Sequence, residues 1–231
     1  MQQLANFRDV GGLRAADGRC VRRGVLYRGD ATFAGDGPPV GAISWPPAVV
    51  LDLRSEGERR STSPWPSGTT VHEIALLAEL GSALRGVEEV GTLRGLYLEL
   101  VRQSTAQLAQ IVQLVATSSG PILLHCALGK DRTGVAVAAV LLAVDVEPEM
   151  IVADYELTAP NVAKVLWRLR ALGVEVPPDD ELPHQALAVD TAALRAVLEE
   201  ISSAPGGARG WLRRHGVSEA DFEALEHKLL G

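Results

Sequence analysis

The chain is short of what a nucleic-acid binder, a disulfide scaffold or a membrane protein would need. Lysine is nearly absent, at three against nineteen arginines, and 29 acidic residues outnumber 22 basic ones to leave a net charge of −7. No basic run or aromatic-studded basic strip appears, so nucleic acid is not an expected partner. With two cysteines, Cys20 and Cys126, there is no disulfide framework, and a reducing compartment fits. The longest apolar run is too short to span a bilayer, and the amino terminus lacks a charged stretch followed by an apolar one. A cytoplasmic location is expected, with export without a signal peptide left open. The five histidines are scattered without metal-ligand spacing, so neither a metal nor a cofactor is expected. At 231 residues the chain suits one domain, 1–231, with a sizeable core.

The informative segment is Leu123-Leu124-His125-Cys126-Ala127-Leu128-Gly129-Lys130-Asp131-Arg132-Thr133-Gly134. Pro121 to Leu124 has the pattern of a short buried strand, and Val135 to Val144 is an unbroken apolar run with helical length. The residues between must turn from strand into helix, which gathers backbone N–H groups and the positive end of a helix dipole into one concavity. A thiolate at the mouth of such a nest is a nucleophile in a favourable field. Arg132 offers a planar fork for two oxygens of a tetrahedral anion, and the backbone of Ala127 to Arg132 supplies amides for the rest. Thr133 can donate to the sulfur as it leaves a thiophosphate. Gly129 and Gly134 permit backbone conformations and close approaches that a side chain would hinder.

Plainer readings stand beside these. A lone cysteine at a strand end is usually a small hydrophobe, but Arg132, Thr133 and the flanking glycines weigh against that for Cys126. A strand would point His125 to the opposite face, which favours a structural hydrogen bond over a role as base. Lys130 is either a solvated charge or a functional cation at the rim, and the scarcity of lysine favours the second.

Several further motifs accompany the loop. They are Asn6-Phe7-Arg8-Asp9-Val10-Gly11-Gly12, Leu26-Tyr27-Arg28-Gly29-Asp30-Ala31, Val49-Val50-Leu51-Asp52-Leu53-Arg54-Ser55 with Glu58, Ile151 to Thr158, and the tail Gly216 to Asp221. Together and in this order they resemble the atypical bacterial tyrosine phosphatases, and the resemblance runs through nearly the whole chain. It implies a cysteine-phosphatase-like fold without cofactor, acting on phosphotyrosine with breadth toward phosphoserine, phosphothreonine and phosphoinositides. Inorganic phosphate would be the product. Leu128 makes one part of the rim more apolar than a polar residue would, which bears on substrate preference.

Many tyrosine phosphatases supply an acid from an upstream Trp-Pro-Asp triplet, but no aspartate lies between Asp52 and Asp131. Trp65-Pro66 is followed by Ser67 and Trp45-Pro46 by Pro47. Glu88, Glu89 and Glu99 have the spacing of a solvated helix face. Asp131 is therefore the candidate acid, and the resemblance implies the same. The alternative is that Asp131 forms an ion pair that orients Arg132 or Lys130.

The pattern along the chain alternates strand and helix: strands at Arg19 to Tyr27, Ala48 to Arg54, Thr69 to Ile74 and Pro121 to His125, and one long helix over Leu93 to Thr117. An α/β fold follows, with a mainly parallel central sheet, helices on both faces and a helix-rich carboxyl-terminal part. The segment 76–95 is either a helical lid over the pocket or ordinary core helix. Cys20 reads as a strand packing residue. Ser218 and Asp221 suit a cap for a last helix whose Phe222, Leu225 and Leu229 share a face. Three functions remain open: a phosphate monoester hydrolase, a rhodanese-like sulfur or arsenate transferase, and a module that grips phosphorylated partners without turnover.

Overall fold

The computed structural model describes residues 3–59, 64–77, 91–178, 180–182 and 187–230. Among the described residues five strands form one sheet: β1 (Arg8–Asp9), β2 (Leu26–Gly29), β3 (Val49–Asp52), β4 (Thr70–Glu73) and β5 (Ile122–His125), in the order β1-β2-β5-β3-β4. Only β1 runs antiparallel to its neighbour. The central β5 pairs with β2 and β3 in a register that sets Gly29 and Asp52 on either side of His125. Three parallel strands thus end together beneath the loop that follows, where such sheets bind ligands.

The three inner strands are buried on both faces, as parallel strands are. Leu26, Leu51 and Leu124 point into the main core with the helices, whereas Tyr27, Val50 and Leu123 point the other way. The described packing on that second face comes from Leu4, Phe7, Trp45 and Trp65, which lie in non-helical segments. The helices are α1 (Leu93–Gln103), α2 (Thr105–Thr117), α3 (Asp131–Ala143), α4 (Pro148–Glu156), α5 (Val162–Ala171), α6 (Thr191–Ser202), α7 (Gly207–Arg214) and α8 (Glu219–Leu230). Every residue of α3 is buried, as expected of an apolar helix packed on all sides.

Three local expectations need correction. The strand predicted from Arg19 begins only at Leu26, because Gly24 takes a left-handed conformation (φ 76°) and its N–H is held by Asp9 Oδ2 at 2.6 Å. Cys20 consequently lies outside the named strands, in an isolated bridge to Arg14, and is exposed. The long helix predicted over Leu93 to Thr117 is two helices broken at Ser104, whose hydroxyl accepts the Leu77 N–H at 3.3 Å. The predicted lid, 76–95, falls mostly on residues outside the described ones. Of its ends, Leu76 and Leu77 are buried in the main core and 93–95 open α1. Ser218 and Asp221 cap α8 as expected, with Ser218 N–H donating to Asp221 Oδ2 at 2.8 Å. Among the described residues no helix is long and apolar enough to cross a membrane.

Candidate active site

The strand-to-helix turn predicted around Cys126 is present, from the end of β5 to the start of α3. Cys126, Gly129, Lys130, Asp131, Arg132 and Thr133 are buried, and Ala127 and Leu128 are half-buried. What shapes this loop is the fate of its carbonyls. Ala127 O accepts from Ala31 N–H at 3.0 Å, Leu128 O from Asn6 Nδ2 at 2.9 Å, and Gly129 O from Arg28 Nη2 at 3.1 Å. In a planar trans peptide the next N–H points opposite to the carbonyl. The amides of Leu128, Gly129 and Lys130 therefore face away from this surrounding frame, toward the concave side. Gly129 is required: its φ is +68°, and a Cβ would stand 2.4 Å from Gly29 O.

Behind the loop, Arg28 and Arg8 converge on one carboxylate of α4. Arg28 Nη1 lies 2.6 Å from Asp154 Oδ2 and Arg8 Nε 2.8 Å from Oδ1. Burial alone would raise the Asp154 carboxyl, but the two guanidinium groups outweigh it and hold it below its ordinary range. Asn6, Arg8, Arg28 and Asp154 come from three of the motifs noted above, so those motifs meet at the back of the loop.

On the other side, Arg132 is gripped end-on by Glu58: Nη1 lies 2.6 Å from Oε2 and Nη2 2.7 Å from Oε1. Two of the five guanidinium donors are used in this way. Nε is buried without a partner, so the Nε edge of the group remains for an anion. Burial lowers the Arg132 pKa, but hydrogen bonding to Glu58 and nearby negative charge outweigh that, and the group is held above its usual range. Glu58 is itself locked by Ser55, whose N–H and hydroxyl reach Oε2 at 3.0 and 2.8 Å. The sequence reading gives Glu58 no role, although Ser55 and Glu58 have capping-box spacing, which was the available signal. The Thr133 hydroxyl is also buried without a partner.

His125 is buried, with Nδ1 3.3 Å from Cys126 O and Nε2 3.9 Å from Asp52 Oδ2. Burial lowers its pKa more than Asp52 raises it, so it sits neutral beneath the loop in the structural place expected of it. Lys130 differs from its expectation. It is fully buried, not a rim or surface charge: its ammonium donates to Ala188 O at 2.8 Å and lies 3.1 Å from Asp131 Oδ1. Any grip of Lys130 on phosphate would come from its backbone N–H. Leu128 packs against two apolar clusters that include Val165 and Leu169, and Val162 and Leu166, so α5 absorbs part of its apolar surface.

Asp131 opens α3 and is buried, with Oδ1 accepting from the Tyr97 hydroxyl at 2.7 Å. The Tyr97 and Tyr155 hydroxyls lie 2.6 Å apart. Burial and the charge of Asp131 push the pKa of both phenols up, so they stay protonated. Neither tyrosine is visible as a site residue in the sequence, where both look like core aromatics. Glu99, one of the alternative acids, pairs with Gln103 on the outside of α1; Glu88 and Glu89 lie outside the described residues. Among the described residues no cluster of His, Cys, Asp and Glu could hold a metal.

A cysteine and an arginine set on one loop at the carboxyl end of a mainly parallel sheet define a cysteine-phosphatase-like architecture. The family model described as the tyrosine phosphatase family matches residues 1–231, and the chain belongs to that family. It is 29% identical over 272 residues to the triple specificity protein phosphatase PtpB of Mycobacterium tuberculosis, across 98% of this chain and 96% of that protein. It is also 28% identical over 148 residues to a tyrosine-protein phosphatase of Nostoc commune, across 58% of this chain and 47% of the relative.

Proposed function

We propose that this tyrosine phosphatase works through a phosphocysteine, with Cys126 as nucleophile, Asp131 as acid and base, and Arg132, Thr133 and the amides of Ala127 to Arg132 as the anion site. The observation that carries the reading is the outward capture of the loop carbonyls, which leaves consecutive N–H groups on the concave side. The Cys126 thiolate attacks phosphorus and the ester P–O bond breaks, with Asp131 giving its proton to the leaving oxygen. Water then attacks the phosphorus of the thiophosphate. Asp131 takes the water's proton, the S–P bond breaks, and inorganic phosphate and the thiolate are released. Arg132 and the loop amides hold the equatorial oxygens throughout, which is where charge is spread in phosphoryl transfer. Thr133 donates to the departing sulfur.

Protein phosphotyrosine is the chief substrate in this reading, with phosphoserine, phosphothreonine and phosphoinositides as further ones. The breadth is supported by the similarity to a triple specificity phosphatase. A cytoplasmic location suits two cysteines that remain free thiols. The test is a panel of phosphotyrosine peptides, phosphoserine peptides and phosphoinositides, run beside thiosulfate with cyanide as acceptor. Release of phosphate, fastest from phosphotyrosine, is the expected result. Sulfur transfer, or tight binding of phosphopeptides without turnover, would overturn the reading.

A further inference from the structure

Asp131 has two oxygens in different circumstances. Oδ1 accepts from the Tyr97 hydroxyl at 2.7 Å and lies 3.1 Å from the Lys130 ammonium. Oδ2 has no partner among the described residues, and it is not one of the unsatisfied atoms sealed from solvent. Tyr97 has a single hydroxyl proton, and here it points at Asp131, so the 2.6 Å contact between the tyrosines is filled by the proton of Tyr155. The chain of donors runs from Tyr155 through Tyr97 to Oδ1.

Resting on the proposal that Asp131 is the acid, we infer that Tyr97 is its positioning residue: it anchors Oδ1 and so assigns the transferable proton to Oδ2. The Tyr97 hydroxyl donating to Oδ1, with the Lys130 ammonium 3.1 Å from the same oxygen, makes that oxygen the acceptor, and the acid hydrogen must then sit on the other. A carboxyl turned the opposite way would present its acceptor oxygen to the leaving group and could not protonate it. The anchor is stiff because both rings are buried, 6.4 Å apart and nearly perpendicular. The second turn of the helix also rests on Tyr155, since a Cβ on Gly134 would lie 3.1 Å from its ring. Tyr155 therefore supports Tyr97 without touching Asp131 in any hydrogen bond described.

Three tyrosine variants separate positioning from simple structural support. Tyr97→Phe removes the donor to Oδ1 and strands the buried Tyr155 hydroxyl. Adding Tyr155→Phe removes the stranded hydroxyl as well, a change that is close to neutral for stability when both partners become apolar. Tyr155→Phe alone keeps the donor on Asp131. The expected result is that Tyr97→Phe and the double variant lower kcat/KM for phenyl phosphate by about tenfold or more, a part of the roughly 10²–10⁴ that positioned proton transfer supplies; kcat/KM stops at release of the leaving group and so leaves out the thiophosphate step that Asp131 also serves. The kcat/KM for p-nitrophenyl phosphate, whose leaving group hardly needs the proton, stays close to wild type, and Tyr155→Phe stays close to wild type on both. Recovery of phenyl phosphate hydrolysis in the double variant, or equal losses on both substrates in Tyr97→Phe, would overturn the inference.

Asp131→Asn is run in the same panel. If it selectively slows phenyl phosphate while Tyr97→Phe does not, Asp131 stands as the acid and the role of Tyr97 falls. If Asp131→Asn lowers kcat/KM for both substrates alike, the acid assignment falls and the inference falls with it.

Discussion

The two sides of the Cys126 loop are both built from arginine and carboxylate, yet they are wired for opposite ends. At the back, Asp154 takes two arginines, Arg8 and Arg28, and Arg28 spends a further donor on the carbonyl of Gly129. At the front, Glu58 takes one arginine, end-on, and is more open, at 19% exposure against 4% for Asp154. An unpartnered Nε does not distinguish the two, since Arg28 and Arg132 both have one. The difference lies in what each guanidinium is bound to. Arg28 ties a loop carbonyl to a helix, so it shapes the loop, whereas Arg132 belongs to the loop and is only aimed from outside. The back should therefore govern stability and the front should govern rate.

The largest break in this comparison is Asp154→Ala. It leaves the buried Arg28 and the half-buried Arg8 without their shared carboxylate and is expected to lower unfolding free energy by about 3–5 kcal/mol, measured by urea denaturation. A loss below about 1 kcal/mol would remove Asp154 from the frame. Next is Arg132→Lys, which keeps the charge but has no Nε edge to set against two oxygens. It should lower kcat by at least about a hundredfold, or about 2.7 kcal/mol of barrier, with the urea midpoint nearly unchanged. A fall of less than about tenfold would reject the two-point grip.

The third test sharpens the frame at its floor through pH. Burial raises the Asp52 carboxyl, but His125, which carries charge only well below neutral pH, and Arg54 outweigh it and bring the pKa to about 2. Arg54 is the partner at every pH, through Nε to Oδ1 at 2.9 Å and Nη2 to Oδ2 at 2.7 Å. A folded-state pKa below the unfolded value contributes stability that is present above about pH 4 and lost as pH falls through about 2. Asp52→Asn should thus cost about 2 kcal/mol at pH 7 and progressively less toward pH 2. A loss that stays constant over that range would mean that packing, not ionisation, accounts for it. The smallest expected effect is Glu58→Gln, which weakens the aim of Arg132 without removing it. About a tenfold fall in kcat, or about 1.4 kcal/mol, should come with little change in urea midpoint, and a large loss of stability would make Glu58 part of the frame.

The elements set by continuous local signals were legible from the sequence: β3 and β5 from their buried apolar runs, α3 from its breaker-free stretch, and the loop between from its glycines and its Cys126–Arg132 spacing. What escaped depends on partners far along the chain. The helix that local propensity would continue breaks at Ser104, whose hydroxyl accepts the Leu77 N–H from a distant segment. Lys130 looks like a functional cation at the rim until Ala188 and Asp131 surround it. Glu58 and Tyr97 meet Arg132 and Asp131 across separations of 74 and 34 residues, and no periodicity encodes such pairings.

The central claim is that phosphoryl transfer passes through the sulfur of Cys126, and the most direct measurement is to look for that bond. Wild-type protein turning over p-nitrophenyl phosphate is quenched within the pre-steady-state phase, digested and weighed by mass spectrometry, with Cys126→Ser carried in parallel. The predicted result is one phosphoryl group on the peptide containing Cys126 in wild type, and no steady-state turnover by the serine variant. Sustained hydrolysis by Cys126→Ser, with no phosphoryl group on that peptide in wild type, would contradict the account.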